Sequence, residues 1–80
     1  MQEIFERMQT IISEQFGVEL DSVTESTSFE EDLGADSVDL VELVMAMEDE
    51  FKIGEVGEDE LAGLSTVGDC VNFLAKRIDA

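Results

Sequence analysis

The 80-residue chain has no histidine, no tryptophan, no tyrosine, one cysteine and only four basic residues. Each shortage excludes something. Without histidine there is no Ser-His or Cys-His couple, and the usual proton carrier near neutral pH is missing. Without tryptophan or tyrosine, stacking on nucleic-acid bases has little to work with. A single cysteine cannot close an intrachain disulfide, so a reducing compartment is the simpler expectation. No Gly-rich phosphate loop of the GxxxxGK kind occurs. No apolar run approaches the roughly 18 residues of a membrane span. The opening MQEIFERMQTII lacks the basic stretch and long apolar run of a secretory signal. These exclusions predict a soluble cytoplasmic protein that is not an enzyme.

What is present is acid. Twenty-one Asp and Glu against four Lys and Arg give a net charge of −17. Phosphate backbones and anionic lipid surfaces repel such a chain, so neither nucleic acid nor membrane is expected as a partner. Its partners should carry basic patches. The chain is also 44% apolar, enough for a core, which argues against disorder. Its length fits one domain, residues 1–80, near the lower end of what folds alone, and a monomer is expected.

Ile4, Phe5, Met8, Ile11, Ile12 and Phe16 recur at three- and four-residue steps, predicting an amphipathic helix over Gln2–Phe16 that Gly17 ends. Residues 17–35 form a long connection, a length uncommon unless tied down or functional. Val18, Leu20, Val23, Phe29 and Leu33 are its candidate pins into the core. A second helix should run from Asp36 or Ser37 to Phe51, and a short turn of helix over Glu58–Ala62. A last helix should start at Ser65 or Thr66, capped by Thr66 with Asp69, and carry Val67, Cys70, Val71, Leu74 and Ile78 on its apolar stripe. No segment alternates with period two. The expected fold is all-α: a small bundle of three main helices plus one short one, with a long loop between the first two.

Asp36-Ser-Val-Asp39 reads as a capping box with Asp36 as the cap and Asp39 at the third helical position. The competing register makes Ser37 the cap but puts Leu40 third and forms no box, so the first is favoured. Ser37 then has no capping duty. A small polar residue at a helix start is commonplace, but a free hydroxyl there sits where the helix dipole favours an attached phosphate.

The same helix has two apolar faces. Leu40, Leu43, Val44, Met47 and Phe51 span an arc of about 100°, while Val38, Val41 and Met45 form a second stripe about 140° round from the first. The long loop could bury that second stripe. Its flanking acids, Glu42, Glu48 and Asp49, favour instead an exposed surface for a basic, partly hydrophobic groove. With Asp36 and Asp39 at the helix tip, these residues are the candidate partner-binding face. Met8, Met47 and Cys70 have the spacing of core residues.

The segment FEEDLGADSVDLVELVMAMEDEF, residues 29–51, resembles the signature of acyl carrier proteins, whose Asp-Ser-Leu motif carries a modified serine. Val38 stands where the leucine is usual. The resemblance continues through STVGDCVNFL and departs after the second helix, where KIGEVGEDEL replaces the frequent Ile-x-Asp-Glu pattern. It implies that a separate phosphopantetheinyl transferase attaches 4'-phosphopantetheine to Ser37 from coenzyme A. It also implies that the transferase supplies the metal and the base that this chain lacks. The arm's thiol, not Cys70, would hold acyl groups as thioesters for fatty-acid synthesis enzymes and acyltransferases. A polyketide, lipid A or other specialised pathway would use the same serine. An acidic calcium-binding helical protein is a further alternative, although no D-x-[DN]-x-[DN]-G loop is present, as is a nucleic-acid mimic, which only the charge supports.

Overall fold

Four α-helices and one 3₁₀ turn carry residues 2–79, which the computed structural model describes. Helix α1 is Gln2–Phe16, α2 Ser37–Phe51, α3 Glu58–Ala62 and α4 Val67–Asp79, with the 3₁₀ turn at Leu20–Ser22. No β-strand occurs among the described residues; one isolated antiparallel bridge joins Ser28 and Thr66. The fold is the small all-α bundle that the apolar periodicity predicts.

Helix α1 is the element against which both α2 and α4 pack. Met8 and Ile12 of α1, Leu43 and Met47 of α2, and Val67, Cys70, Val71 and Leu74 of α4 are buried together. These are the residues the three- and four-residue spacing puts on one face of each helix. Leu40 and Phe51, expected in the same core, are only half-buried at its edge.

The long connection closes the core. Val23 and Phe29 are buried, Val18 and Leu33 half-buried. Leu20, expected as a further pin, is 47% exposed. The tie at that point is made by backbone: Gln9 Nε2 of α1 donates to the carbonyls of Leu20 at 3.2 Å and Val23 at 2.9 Å. With its carbonyl held inward in the 3₁₀ turn, the Leu20 side chain is left outside. Ile78 corrects the expected α4 stripe in the same way, since it lies in the last turn, beside a shallow hollow lined by Ile4, Arg7 and Phe51.

Further along, the connection lies against the start of α4. The Phe29 amide donates to the Ser65 carbonyl at 3.1 Å, Val67 to Thr27 at 3.0 Å, and Gly68 to Glu25 at 2.8 Å. That last approach needs a glycine, because a Cβ at residue 68 would stand 3.0 Å from the Glu25 carbonyl oxygen. Helix α4 starts at Val67 with Thr66 as its cap. Asp69 donates its amide to Thr66 Oγ1 at 3.2 Å, and its carboxylate accepts from the Thr66 amide at 3.1 Å. Among the described residues no buried side-chain polar atom lacks a partner.

Candidate functional site

Ser37 sits at the tip of α2, and the residues around it explain why its hydroxyl is free. Asp36 has extended backbone (φ −101°, ψ −174°) and caps the helix. Its Oδ1 accepts from the Asp39 amide at 2.9 Å, while Asp39 Oδ2 accepts from the Asp36 amide at 3.2 Å. The reciprocal box is complete without Ser37. Ser37 is exposed, and its Oγ has no hydrogen-bond partner among the described residues. The amides of Ser37 and Val38 are among those left over at a helix start, so the hydroxyl stands in the positive end of the α2 dipole.

The chain leading into this tip is braced by short hydrogen bonds. Asp32 Oδ2 accepts from the Ser28 amide at 2.7 Å, and Ser28 Oγ from the Glu31 amide at 3.2 Å. The Asp32 and Leu33 amides both return to the Ser28 carbonyl, and Ala35 donates to the Phe29 carbonyl at 2.8 Å. Gly34 takes the left-handed turn (φ +64°) that brings the chain round to Asp36. Because Phe29 is buried and bonded to Ser65, Ser37 rests on a fixed platform despite its place after a 20-residue connection between α1 and α2.

One face of α2 is exposed apolar surface. Val38, Val41 and Met45 are 65%, 47% and 60% exposed. The loop 17–36 does not cover them, so the reading in which it buries this stripe is excluded by geometry. Glu42 and Asp49 are exposed beside it, and neither forms an ion pair among the described residues. Glu48 is different. Its Oε2 accepts from the Val56 amide at 2.7 Å, which turns the carboxylate towards the loop after α2. Asp36 and Asp39 are likewise engaged in the cap. Of the five acids expected on this face, Glu42 and Asp49 are therefore free to meet a partner without releasing a bond.

A cleft of about 390 Å³ opens beside the helix tip. Phe29, Leu40, Leu61 and Leu64 supply its apolar lining, and Glu30, Glu31, Ser28 and Ser65 its rim. Leu40 lies less than one turn along α2 from Ser37, so the cleft starts close to the free hydroxyl. The spacing of residues 40 to 51 predicts a core place for Leu40, and nothing local ties Leu61 or Leu64 to a cleft. The cleft lies between α2, α3 and the loop residues 28–31 and 64–65, which no local spacing brings together.

Cys70 is buried, and its thiol is pushed up to about 12 by burial, with the neighbouring Asp69 charge adding to the effect. A thiol so reluctant to ionise is no nucleophile. Among the described residues no three carboxylate or thiol side chains are grouped to hold a metal ion.

Residues 6–74 match the family described as the phosphopantetheine attachment site. An acyl carrier protein of Guillardia theta is 49% identical over 79 residues, covering 99% of this chain and 96% of that protein. The solved acyl carrier protein of Enterococcus faecalis is 33% identical, with a TM-score of 0.79 over 95% of each chain. Members of the family are carriers and not catalysts; they bear 4'-phosphopantetheine and meet phosphopantetheinyl transferases and acyl-handling enzymes. A free serine at a capped helix tip, an exposed apolar and acidic helix face, and near full-length likeness on both counts agree: the chain belongs to the acyl carrier proteins.

Proposed function

We propose that Ser37 is the residue that carries the phosphopantetheine arm, and that this chain serves fatty-acid synthesis in the cytoplasm. The observation that carries the assignment is the Ser37 hydroxyl itself, exposed and without a partner beside the Asp36 cap. Attachment joins Oγ to the pantetheine-bearing phosphorus of coenzyme A as a phosphodiester, breaks the bond from that phosphorus to the bridging pyrophosphate oxygen so that adenosine 3',5'-bisphosphate leaves, and sends the hydroxyl proton to a base on the transferase. The α2 dipole and the leftover amides of Ser37 and Val38 favour the phosphate at that point. When bound, the group supplies a thiol that holds acyl chains as thioesters. The protein's own residues hold the arm's root, present the docking face and shelter the chain.

The fatty-acid reading draws on the cleft. Leu40 and Leu61, both half-buried, give the cleft apolar surface near the arm's root, between the polar groups of its rim, and burial of hydrocarbon against them is favourable. Val38, Val41 and Met45 with Glu42 and Asp49 fit the basic, partly hydrophobic groove of a transferase, a condensing enzyme or an acyltransferase. Two measurements test the proposal. Incubation with coenzyme A and a broad-range phosphopantetheinyl transferase should add one phosphopantetheine to the wild-type chain and none to Ser37→Ala. Mass analysis of the protein from its native cell should find saturated acyl groups on the arm; polyketide chains would move it to a specialised pathway.

A further inference from the structure

Helix α3 forms one wall of the cleft through Leu61 and Ala62, yet it has no fully buried residue. Polar ties hold it in place. From α4, Arg77 Nη1 donates to Glu60 Oε2 at 3.0 Å and Nη2 to the Glu55 carbonyl at 3.0 Å. The guanidinium carbon lies 5.0 Å from the centre of the Phe73 ring, which steadies it. The other oxygen of the same carboxylate, Glu60 Oε1, accepts from the Gly57 amide at 3.0 Å at the start of α3. Arg77 thus grips the carboxylate that caps the short helix and, with its second nitrogen, the loop leading into it. A lone exposed ion pair holds little, but a planar guanidinium forked onto two partners and stacked on a ring is a fixed clasp.

We infer that Arg77, which does not line the cleft, sets how far α3 can swing from α2, and through that the longest acyl chain the cleft shelters. Arg77 is a positioning residue and not a contact of the chain. With the clasp closed, Leu61 and Ala62 stay near Leu40 and the cleft keeps its small volume. With it released, α3 is held by the half-buried Leu61 and by the Glu48 bond to Val56, and the wall yields to a longer chain. The inference rests on the reading of the cleft as the place where the acyl chain lies.

The test compares wild type with Arg77→Met, which keeps a stem over Phe73 but removes both donors. Glu60→Gln is the second variant, weakening the pair while leaving an acceptor for Gly57. Each is loaded through the Ser37 arm with straight saturated acyl groups of increasing length. Hydrogen exchange of the Leu61 and Leu64 amides reports α3, with α1 amides as the control. Unfolding in urea reports how much of each chain is covered.

Release of the clasp should speed exchange in α3 by about tenfold and leave α1 unchanged. In wild type, each further methylene that enters the cleft should lower the unfolding constant about fourfold until the cleft is full. In the variants that gain should continue to longer chains, even though the unloaded protein is less stable. The same stopping length in wild type and variants, with α3 exchange accelerated, overturns the inference alone. No dependence on chain length in wild type overturns the cleft reading and the inference with it.

Discussion

The carboxylate of Glu48 accepts the amide of Val56 at 2.7 Å, tying the loop after α2 back onto the helix that precedes it. Glu48 therefore belongs to the architecture as much as to the acidic rim. Glu42, six residues earlier on the same helix, is exposed and makes no such bond. The two residues look alike in sequence and should behave differently when changed.

Glu48→Lys should cost about 1 kcal/mol of stability, because it removes the acceptor of a part-buried amide. Glu48→Gln keeps an acceptor and should cost less. Glu42→Lys should leave stability within about 0.5 kcal/mol and weaken association with a transferase or condensing enzyme. Urea unfolding and association rates at two salt concentrations separate the effects. The Glu42 effect should shrink at high salt, since exposed charges are screened beyond about 10 Å at 0.1 M.

At the helix tip, Asp36→Ala should destabilise by about 1 kcal/mol through loss of the cap. Ser37→Ala should change stability by less than about 0.5 kcal/mol while abolishing attachment of the arm. A loss with Ser37→Ala as large as that with Asp36→Ala, read in urea, would show that the hydroxyl does capping work.

Gly68→Ala should destabilise, although alanine is the better helix former by about 1 kcal/mol. The new Cβ would press on the Glu25 carbonyl oxygen at 3.0 Å, a backbone atom fixed by its own bond from the Gly68 amide. Overpacking of this sort costs about 1–3 kcal/mol and should outweigh the propensity gain. Hydrogen exchange should show the damage in the Val67 and Phe29 amides, which close the same seam.

Cys70 predicts the alkaline behaviour. Burial, with Asp69 as a smaller cause, raises its thiol from 9.0 to about 12 in the folded protein. Below 9.0 both states hold the proton and the folded state keeps its full stability. Between those two values the unfolded chain has released a proton that the folded chain keeps. Stability should then fall with rising pH by up to about 1.4 kcal/mol per unit. Cys70→Ala should be less stable than wild type at pH near 8, and the gap should narrow towards about pH 11 as the thiol's share is lost. Urea midpoints at a series of pH values check the slope; parallel profiles for the two proteins would refute the assignment.

The extents of α1 and α2, the core faces of Met8, Ile12, Leu43 and Met47, and the Asp36–Asp39 box were all legible in the amino-acid sequence. These features depend on neighbours three or four positions apart, and the helix imposes that period on any chain with the right spacing. The freedom of Ser37 followed from the same local rule. Other features were settled by partners distant along the chain. Leu20 lies outside because Gln9 holds its carbonyl, and Gly68 must be glycine because Glu25 approaches it. Glu48 is committed because Val56 returns to it, while Arg77 clasps Glu60 across 17 positions. The cleft needs Phe29, Leu40, Leu61 and Leu64 from separate elements at once. A residue's period and polarity are properties of its own stretch of chain, but the partner of a carboxylate or carbonyl is chosen only when the helices pack, so only the tertiary structure decided these.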